Sequence, residues 1–292
     1  MLSDDVALGS RAGPVASVIV TALAVGSRRE RPDQVVGEEP LEVRLSGPGR
    51  PPRPVAVTMR TPGHDFELAV GFLLSEGLLT DQGDLRTVRY CDLPPDDVQR
   101  YNVVTVSSTG PFDVEERRRA STISSSCGIC GTASLDQLHQ RCGPLGTGPP
   151  IEAELLVELP ERLRKLQRVF ERTGGLHAAG LFEHTGRLLA VREDVGRHNA
   201  VDKLVGWAAM QRRLPLSSAV LVVSGRVSFE IVQKAAIAGI PALVAVSAPS
   251  SLAVDTARDL NMTLAGFVRG DRANLYAGAE RVVGMPPDRR AG

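Results

Sequence analysis

Cys127 and Cys130 stand at i and i+3 in the run S-S-S-C-G-I-C-G, where Ile129 is the one apolar side chain among serines and glycines. Two thiols at that spacing serve three chemistries: disulfide exchange, metal ligation, or carriage of a sulfur atom. Structural cysteines pack as small hydrophobes inside apolar runs, and no such run surrounds this pair. A capping-box pattern follows, with Ser134 three residues ahead of Gln137. The thiols therefore precede a helix N-terminus, where the positive end of the macrodipole favours thiolate. Cys142 falls near the far end of that short helix, on the order of 12 Å along at 1.5 Å per residue. It is expected to pack rather than to join the pair as a ligand.

The elements that must hold this loop are mixed in the N-terminal part. Val15 to Ala24, rich in Val, Ile and Thr, reads as a buried strand. Its apolar stretch follows Asp4 and Asp5 and precedes Arg28-Arg29, the reverse of a signal peptide, and it is too short to span a bilayer. Leu41 to Leu45 and Val55 to Met59 alternate as strands, with the Pro-rich G-P-G-R-P-P-R-P between them expected as a surface loop. Asp65 is the expected N-cap of a helix carrying Phe66, Leu68, Ala69, Phe72 and Leu73. Val98 to Ser108 reads as a further strand.

L-G-T-G-P-P (Leu145 to Pro150) reads as a linker, dividing a smaller α+β part (1–150) from an α/β domain (151–292). Beyond it, Leu159, Leu163, Leu166 and Phe170 mark one helix face, with Pro160 in the first turn and Gly174-Gly175 as the stop. Short apolar strands and helices then alternate: Leu188–Val191, Ala200–Met210, Ala219–Val223, Phe229–Ala238, Ala242–Val246, Leu252–Leu260 and Thr263–Phe267. That alternation predicts a layered α/β domain with a mostly parallel sheet.

In such a sheet the loops at the carboxyl ends of the strands converge on one edge, where ligands bind. Here they contain Glu193, Asp194, Arg197, His198 and Asn199; then Ser224, Gly225 and Arg226; then Ser247 to Ser251; and finally Phe267, Val268, Arg269, Gly270, Asp271 and Arg272. Guanidinium forks, small residues and helix N-termini together favour an anion, above all phosphate. Asp194 or Asp271 would accept hydrogen bonds from a base or a ribose. Each loop alone is ordinary turn chemistry, and a lone histidine such as His198 more often caps or packs than catalyses. Their shared edge is what points to a phosphate-bearing ligand.

Bulk composition narrows the classes. Thirty-four basic residues balance thirty-four acidic ones, so no global field favours nucleic acid or a membrane surface. Aromatic residues make up 4% of the chain, too few for base-stacking platforms. Four cysteines in 292 residues are no disulfide framework, which suits a reduced, cytoplasmic protein. Zinc needs two further ligands, and His139, Cys142, Cys91 and His177 show no recurring spacing, so no metal site is expected. A thiol-disulfide oxidoreductase normally places its C-x-x-C directly between a strand and a helix. Here an Arg-rich polar stretch precedes the pair. A thiol acting on a phosphate-bearing ligand is the leading class, with an oxidoreductase or a structural-zinc protein as alternatives.

The assembled segments resemble the formate dehydrogenase accessory sulfurtransferase family (FdhD). They are M-R-T-P-G at Met59, G-F-L-L-S-E-G, C-G-I-C-G, R-E-D-V-G-R-H-N-A-V-D-K-L-V-G (Arg192 to Gly206), S-G-R-V-S-F-E, A-G-I-P-A-L, S-A-P-S-S-L-A-V and G-F-V-R-G, spread from about residue 17 to residue 276. The resemblance implies a persulfide on Cys127, with Cys130 as its neighbour. It implies sulfur supplied by a cysteine desulfurase and passed to the molybdenum of bis-molybdopterin guanine dinucleotide before that cofactor enters formate dehydrogenase. It also implies a cytidine-deaminase-like C-terminal domain, a homodimer, and a cofactor-binding segment at Phe267 to Arg272. His177-Ala-Ala lacks the glutamate of the deaminase H-x-E, and no P-C-x-x-C follows, so deaminase activity is not expected.

Overall fold

Val15–Ala24 does form a strand, β1, but one that faces solvent. It pairs antiparallel with β2 (Ser27–Val36) through ten residue pairs as an isolated two-stranded ribbon. Among the described residues no third strand covers it, and Ile19 and Leu23 are 70% and 79% exposed. The expected burial fails because a two-stranded ribbon cannot shield its own faces. The computed structural model describes residues 13–91, 101–110, 138 and 141–285. The Cys127–Cys130 loop and the Ser134–Gln137 capping box lie outside the described residues.

Four strands build the N-terminal sheet: β3 (Glu39–Gly47), β4 (Arg50–Arg60), β5 (Leu85–Tyr90) and β6 (Val103–Ser108), in the order β4-β3-β6-β5. The Pro-rich segment expected as a loop is mostly strand, since β4 already begins at Arg50. Edge position explains the difference: among the described residues one side of β4 has no ladder to complete, so the missing proline donors cost nothing there. Helix α1 (Asp65–Ser75) follows, buried through Leu68, Ala69, Val70, Leu73 and Leu74. Asp65 is not its cap. His64 occupies that position, and the buried Asp65 carboxylate instead takes both arms of Arg60, each at 3.1 Å.

The second half contains β7 (Ile151–Glu152), α2 (Ala153–Arg164), α3 (Arg168–Thr173), β8 (His177–Glu183), β9 (Leu188–Asp194), α4 (Arg197–Met210), β10 (Ala219–Val223), α5 (Phe229–Ile237), β11 (Ala242–Ala245), α6 (Ser251–Asp259), β12 (Thr263–Arg269), β13 (Arg272–Ala277) and β14 (Val282–Val283). Pro160 sits inside α2, not in its first turn, because the helix begins at Ala153. Six strands form one sheet in the order β13-β12-β11-β10-β8-β9. Strands β10, β11 and β12 are parallel neighbours, while β8 and β13 run against their partners. Two hairpins therefore flank the parallel centre, turning at Gly186 and Gly270, both at positive φ. F-V-R-G-D-R is one of these hairpin turns, not a loop leading to a helix.

Strand β10 shows how the layers are made. Leu221 and Val223 enter a large core shared with α1, α4, α5, α6 and the N-terminal sheet, whereas Val220 and Val222 enter a second core beneath α2. A strand covered on both faces reads as an unbroken apolar run for this reason. The large core extends from Leu41 to Ala277 across the expected boundary at residue 150, so the two halves are packed as one body. The expected linker is strapped down as well: Leu145 N donates to Leu260 O at 2.9 Å, and Asn261 Nδ2 donates to Leu145 O at 3.1 Å.

Helices α1 and α4 cross backbone to backbone. A Cβ on Gly206 would lie 1.8 Å from the Glu67 carbonyl oxygen, and one on Gly71 would lie 1.8 Å from that of Asp202. In an exposed helix, Gly→Ala stabilises by about 1 kcal/mol. Here the sign reverses: Gly206→Ala is expected to destabilise by about 3 kcal/mol, the upper end of overpacking costs. A urea-unfolding midpoint at or above that of the native protein would disprove the close crossing.

Candidate functional site

The carboxyl end of β9 is anchored before any ligand is considered. Asp194 is 0% exposed and accepts the Lys203 ammonium at 2.6 Å, with Lys203 itself 1% exposed. Asp194 also accepts from Thr61 N (3.2 Å), Gly196 N (2.8 Å) and Asn199 Nδ2 (3.0 Å). Lys203 completes its shell on the carbonyls of Thr61 (3.0 Å) and Glu193 (3.3 Å). M-R-T-P-G and E-D-V-G-R-H-N thus meet as two sides of one buried joint. Asp194, expected to hold a base or ribose, has its carboxylate engaged inside the protein and acts as a positioning residue. Glu193 faces the other way and caps α3, accepting from Val169 N (3.0 Å) and Phe170 N (2.8 Å).

Beyond this joint lies a polar rim. Arg197 and His198 occupy the first turn of α4 rather than a loop. Ser224 Oγ accepts from Ala178 N at 2.9 Å, which brings the start of β8 against the end of β10. The next residue is Gly225, and a Cβ there would lie 3.2 Å from His177 Nδ1 and 3.8 Å from Arg197 Cδ. The missing side chain is therefore what lets the imidazole and the arginine stem share this spot. Burial, then Arg197 and Arg226, lower the His177 pKa against a smaller opposing effect from Asp194. His198 makes a 3.2 Å contact from Nε2 to Ser228 Oγ. Burial, Arg197 and Lys234 push its pKa down to about 4, despite Glu230 nearby. Both histidines are neutral at pH 7.

A cavity of about 910 Å³ opens beside this rim, between α2–α3 and the carboxyl ends of β10, β11 and β12. Arg164, Phe170, His177, Ser224, Val268 and Arg269 are among its walls, with Gly270 at the lip. Of the segment Phe267 to Arg272, the cavity takes Val268, Arg269 and Gly270. Asp271 and Arg272 stand outward at the turn, 94% and 90% exposed and 3.7 Å apart. Phe267 has φ 53°, a left-handed conformation costing a bulky side chain on the order of 1–3 kcal/mol. It lies in a register shift between Gly266 and Arg269 and projects 49% exposed beside the mouth. Val268 therefore turns inward while its neighbours turn out. Arg164 and Phe170 are cavity residues that strand-end reasoning missed. They come from the helices on the opposite wall, where the guanidinium stacks 4.6 Å from the ring centroid.

Among the described residues, no group of three His, Cys, Asp or Glu side chains is arranged to hold a metal ion. His177 opens a strand and is not at a helix N-terminus. Cys91 contacts Arg44 and Thr105, each at 3.6 Å. Cys142 is half-buried with Sγ 3.5 Å from Leu138 O, and burial raises its pKa. Among the described residues, no helix is long and apolar enough to cross a membrane.

The depressed His198 pKa has a consequence for stability. Between about pH 6.5 and about pH 4 the unfolded chain takes up a proton that folded His198 does not, so stability falls as pH drops through that window. In His198→Gln the urea midpoint is expected to fall less steeply over the same range. Identical slopes for the two proteins would rule out a neutral, desolvated His198.

The FdhD/NarQ family model matches residues 36–283. The sulfur carrier protein FdhD of Streptomyces coelicolor is 55% identical over 264 residues, which cover 88% of this chain and 92% of that one. Its counterpart in Mycolicibacterium paratuberculosis is 49% identical over 269 residues, covering 90% and 97%. The crystal structure of a putative formate dehydrogenase accessory protein from Desulfotalea psychrophila superposes with a TM-score of 0.73 over 92% of this chain and 99% of that one. At 23% identity, that likeness concerns the fold. With a family model spanning most of its length and relatives about half identical across it, this chain belongs to the FdhD/NarQ family.

Proposed function

We propose that this protein is a cytoplasmic sulfur carrier that holds sulfane sulfur as a persulfide on Cys127 and delivers it to the molybdenum of bis-molybdopterin guanine dinucleotide. The observation that carries the reading is the cavity at the strand ends, walled by Arg164, Arg269, Ser224 and His177. Its volume of about 910 Å³ falls in the range of small-molecule sites and accommodates one nucleotide arm. Arginine forks suit the diphosphate of such an arm, and the backbone of Gly270 permits close approach. The curated relatives named as sulfur carrier proteins support the sulfur chemistry.

The sulfur steps balance with the two cysteines and an external dithiol as reductant. The Cys127 thiolate attacks the outer sulfur of the persulfide on a cysteine desulfurase, the sulfur–sulfur bond there breaks, and the desulfurase thiolate leaves. Attack of the Cys130 thiolate on Cys127 Sγ then forms the Cys127–Cys130 disulfide and expels the terminal sulfur as hydrosulfide. The two cysteines are oxidised, the sulfane sulfur is reduced, and an external dithiol resets the pair. Expulsion beside a bound cofactor delivers sulfide to the metal, and the loaded cofactor passes to formate dehydrogenase. The solvent-facing ribbon carrying Ile19 and Leu23 is a surface for the second copy in a homodimer.

Two measurements test the reading. Incubation with a cysteine desulfurase and labelled cysteine, followed by peptide mass spectrometry, is expected to place one extra sulfur on the Cys127 peptide, and none in Cys127→Ala. An undiminished persulfide in that variant would sink the assignment. Guanosine diphosphate is expected to bind, with at least about ten-fold weaker affinity in Arg269→Ala by calorimetry, matching one lost charge-assisted contact. A structural-zinc protein or a disulfide oxidoreductase has no reason to bind guanosine diphosphate.

A further inference from the structure

We infer that His177, on the cavity wall, and the adjoining Arg197 and Arg226 form an oxyanion-binding rim beside the cavity, where His177 takes up a proton as a dianionic group is bound. The inference rests on the nucleotide reading only for the identity of the natural ligand, a phosphate-bearing molecule. The rim itself rests on side chains. Three elements bring it together: the start of β8, the first turn of α4, and the loop leaving β10. Gly225 lies under the meeting point of His177 and Arg197, where any side chain would crowd the imidazole.

The Glu230 carboxylate, in the first turn of α5, acts on Arg197 and His198 from a position 53% exposed and 3.9 Å from His198 Nε2, and pairs with neither Arg197 nor Arg226. Arg197 and Arg226 make no hydrogen bond or ion pair among the described residues, and the Arg197 Nε is buried without an acceptor. A buried donor without a partner is rare in folded proteins, and an oxyanion seated here would complete it. The nearest acid, Asp194, is held by Lys203 and three further donors. His198 adds no negative charge. Across the cavity, Glu158 is paired with Arg162 at 2.7 Å and Glu161 with Lys165 at 3.8 Å, while Arg164 and Arg269 add positive charge. The charges that face His177 are therefore mainly cationic, with Asp194 as the smaller opposing charge there and Glu230 the opposing charge at Arg197.

The linkage follows from those charges. Two guanidinium groups and partial burial keep the empty-site imidazole neutral. A bound dianion offsets the guanidinium field and offers a hydrogen-bond acceptor, so the imidazolium becomes favoured and one proton is drawn from solvent. Affinity is then strongest below the free-site pKa and is lost as pH rises through the ligand-bound pKa.

Sulfate is the suitable first probe, because it stays a dianion throughout the neutral range and any pH dependence belongs to the protein. The His177 ring proton, assigned by its absence from His177→Gln, is followed by NMR through a pH titration with and without sulfate. The midpoint is expected to rise by about one unit or more, equivalent to a ten-fold change in affinity across the window. In His177→Gln sulfate affinity should become independent of pH. A His177 midpoint unmoved by sulfate at any concentration overturns the rim. Guanosine diphosphate separates this inference from the reading it extends. Tight, Arg269-dependent binding with no His177 shift removes the rim and keeps the nucleotide site. A His177 shift with guanosine diphosphate binding no tighter than pyrophosphate keeps the rim and removes the nucleotide site.

Discussion

The buried pair between Asp194 and Lys203 is the constraint on which the remaining structure depends. It forms 2.6 Å apart with almost no solvent contact, at the point where β9 ends and α4 begins. A buried ion pair is not in itself a strong source of stability, because desolvating two charges offsets most of their attraction. Its value lies in direction. Each partner needs a complete shell of donors or acceptors, and that shell can be assembled only if Thr61 arrives from the N-terminal half while Gly196 and Asn199 start α4 correctly. The N-terminal sheet is thereby fixed against the ligand-facing edge of the larger sheet.

A second buried charge network repeats the device on the same helix. Asp202 receives Lys234 at 2.8 and 3.0 Å and the Ser75 hydroxyl at 2.8 Å, joining α4 to both α5 and α1. Burial works against the charged lysine, but the Asp202 and Glu76 carboxylates outweigh it and hold the Lys234 pKa above its ordinary value. Between the two networks, Gly206 lets α1 and α4 touch backbone to backbone. Helix α4 is thus fixed on three sides. Its first turn, with Arg197 and His198, inherits that rigidity, so one cation and one neutral imidazole of the rim are held in place by the fold. Preorganisation of this kind spares the ligand the cost of ordering its own site. By contrast, the turn at 270–272 projects into solvent, and the two sides of the cavity differ in how firmly they are built.

Much of the architecture was legible along the chain. The runs Ala219–Val223 and Ala242–Ala245 match their strands because a strand covered on both faces must be apolar throughout. The helices at Phe229 and Ser251 follow the expected alternation, and the first ends at Gly239, which has positive φ beyond the helix end. The hairpins escaped notice because their turns carry only Gly186 and Gly270, and the signal for antiparallel pairing is not local. The expected burial of Val15–Ala24 failed for the same reason: its composition suits a strand, but burial is decided by what packs on it.

For the site, residue types along the sequence determined the kind of chemistry. Paired thiols flanked by glycines, and arginines gathered at strand ends, are local facts that limit the reaction and the charge of the ligand. Tertiary structure decided which of those residues are free to act. Asp194 and Arg197 stand three residues apart in one motif, yet Asp194 is engaged by Lys203 and Thr61 while Arg197 is left without an acceptor among the described residues. His177, weighed in the sequence only as a metal ligand, reaches the cavity because β8 runs antiparallel to β10 and begins where β10 ends. The physical reason is that availability for a ligand is what remains after neighbouring groups have met their own hydrogen-bond and charge requirements. Those neighbours are set by the fold, not by adjacency in the chain.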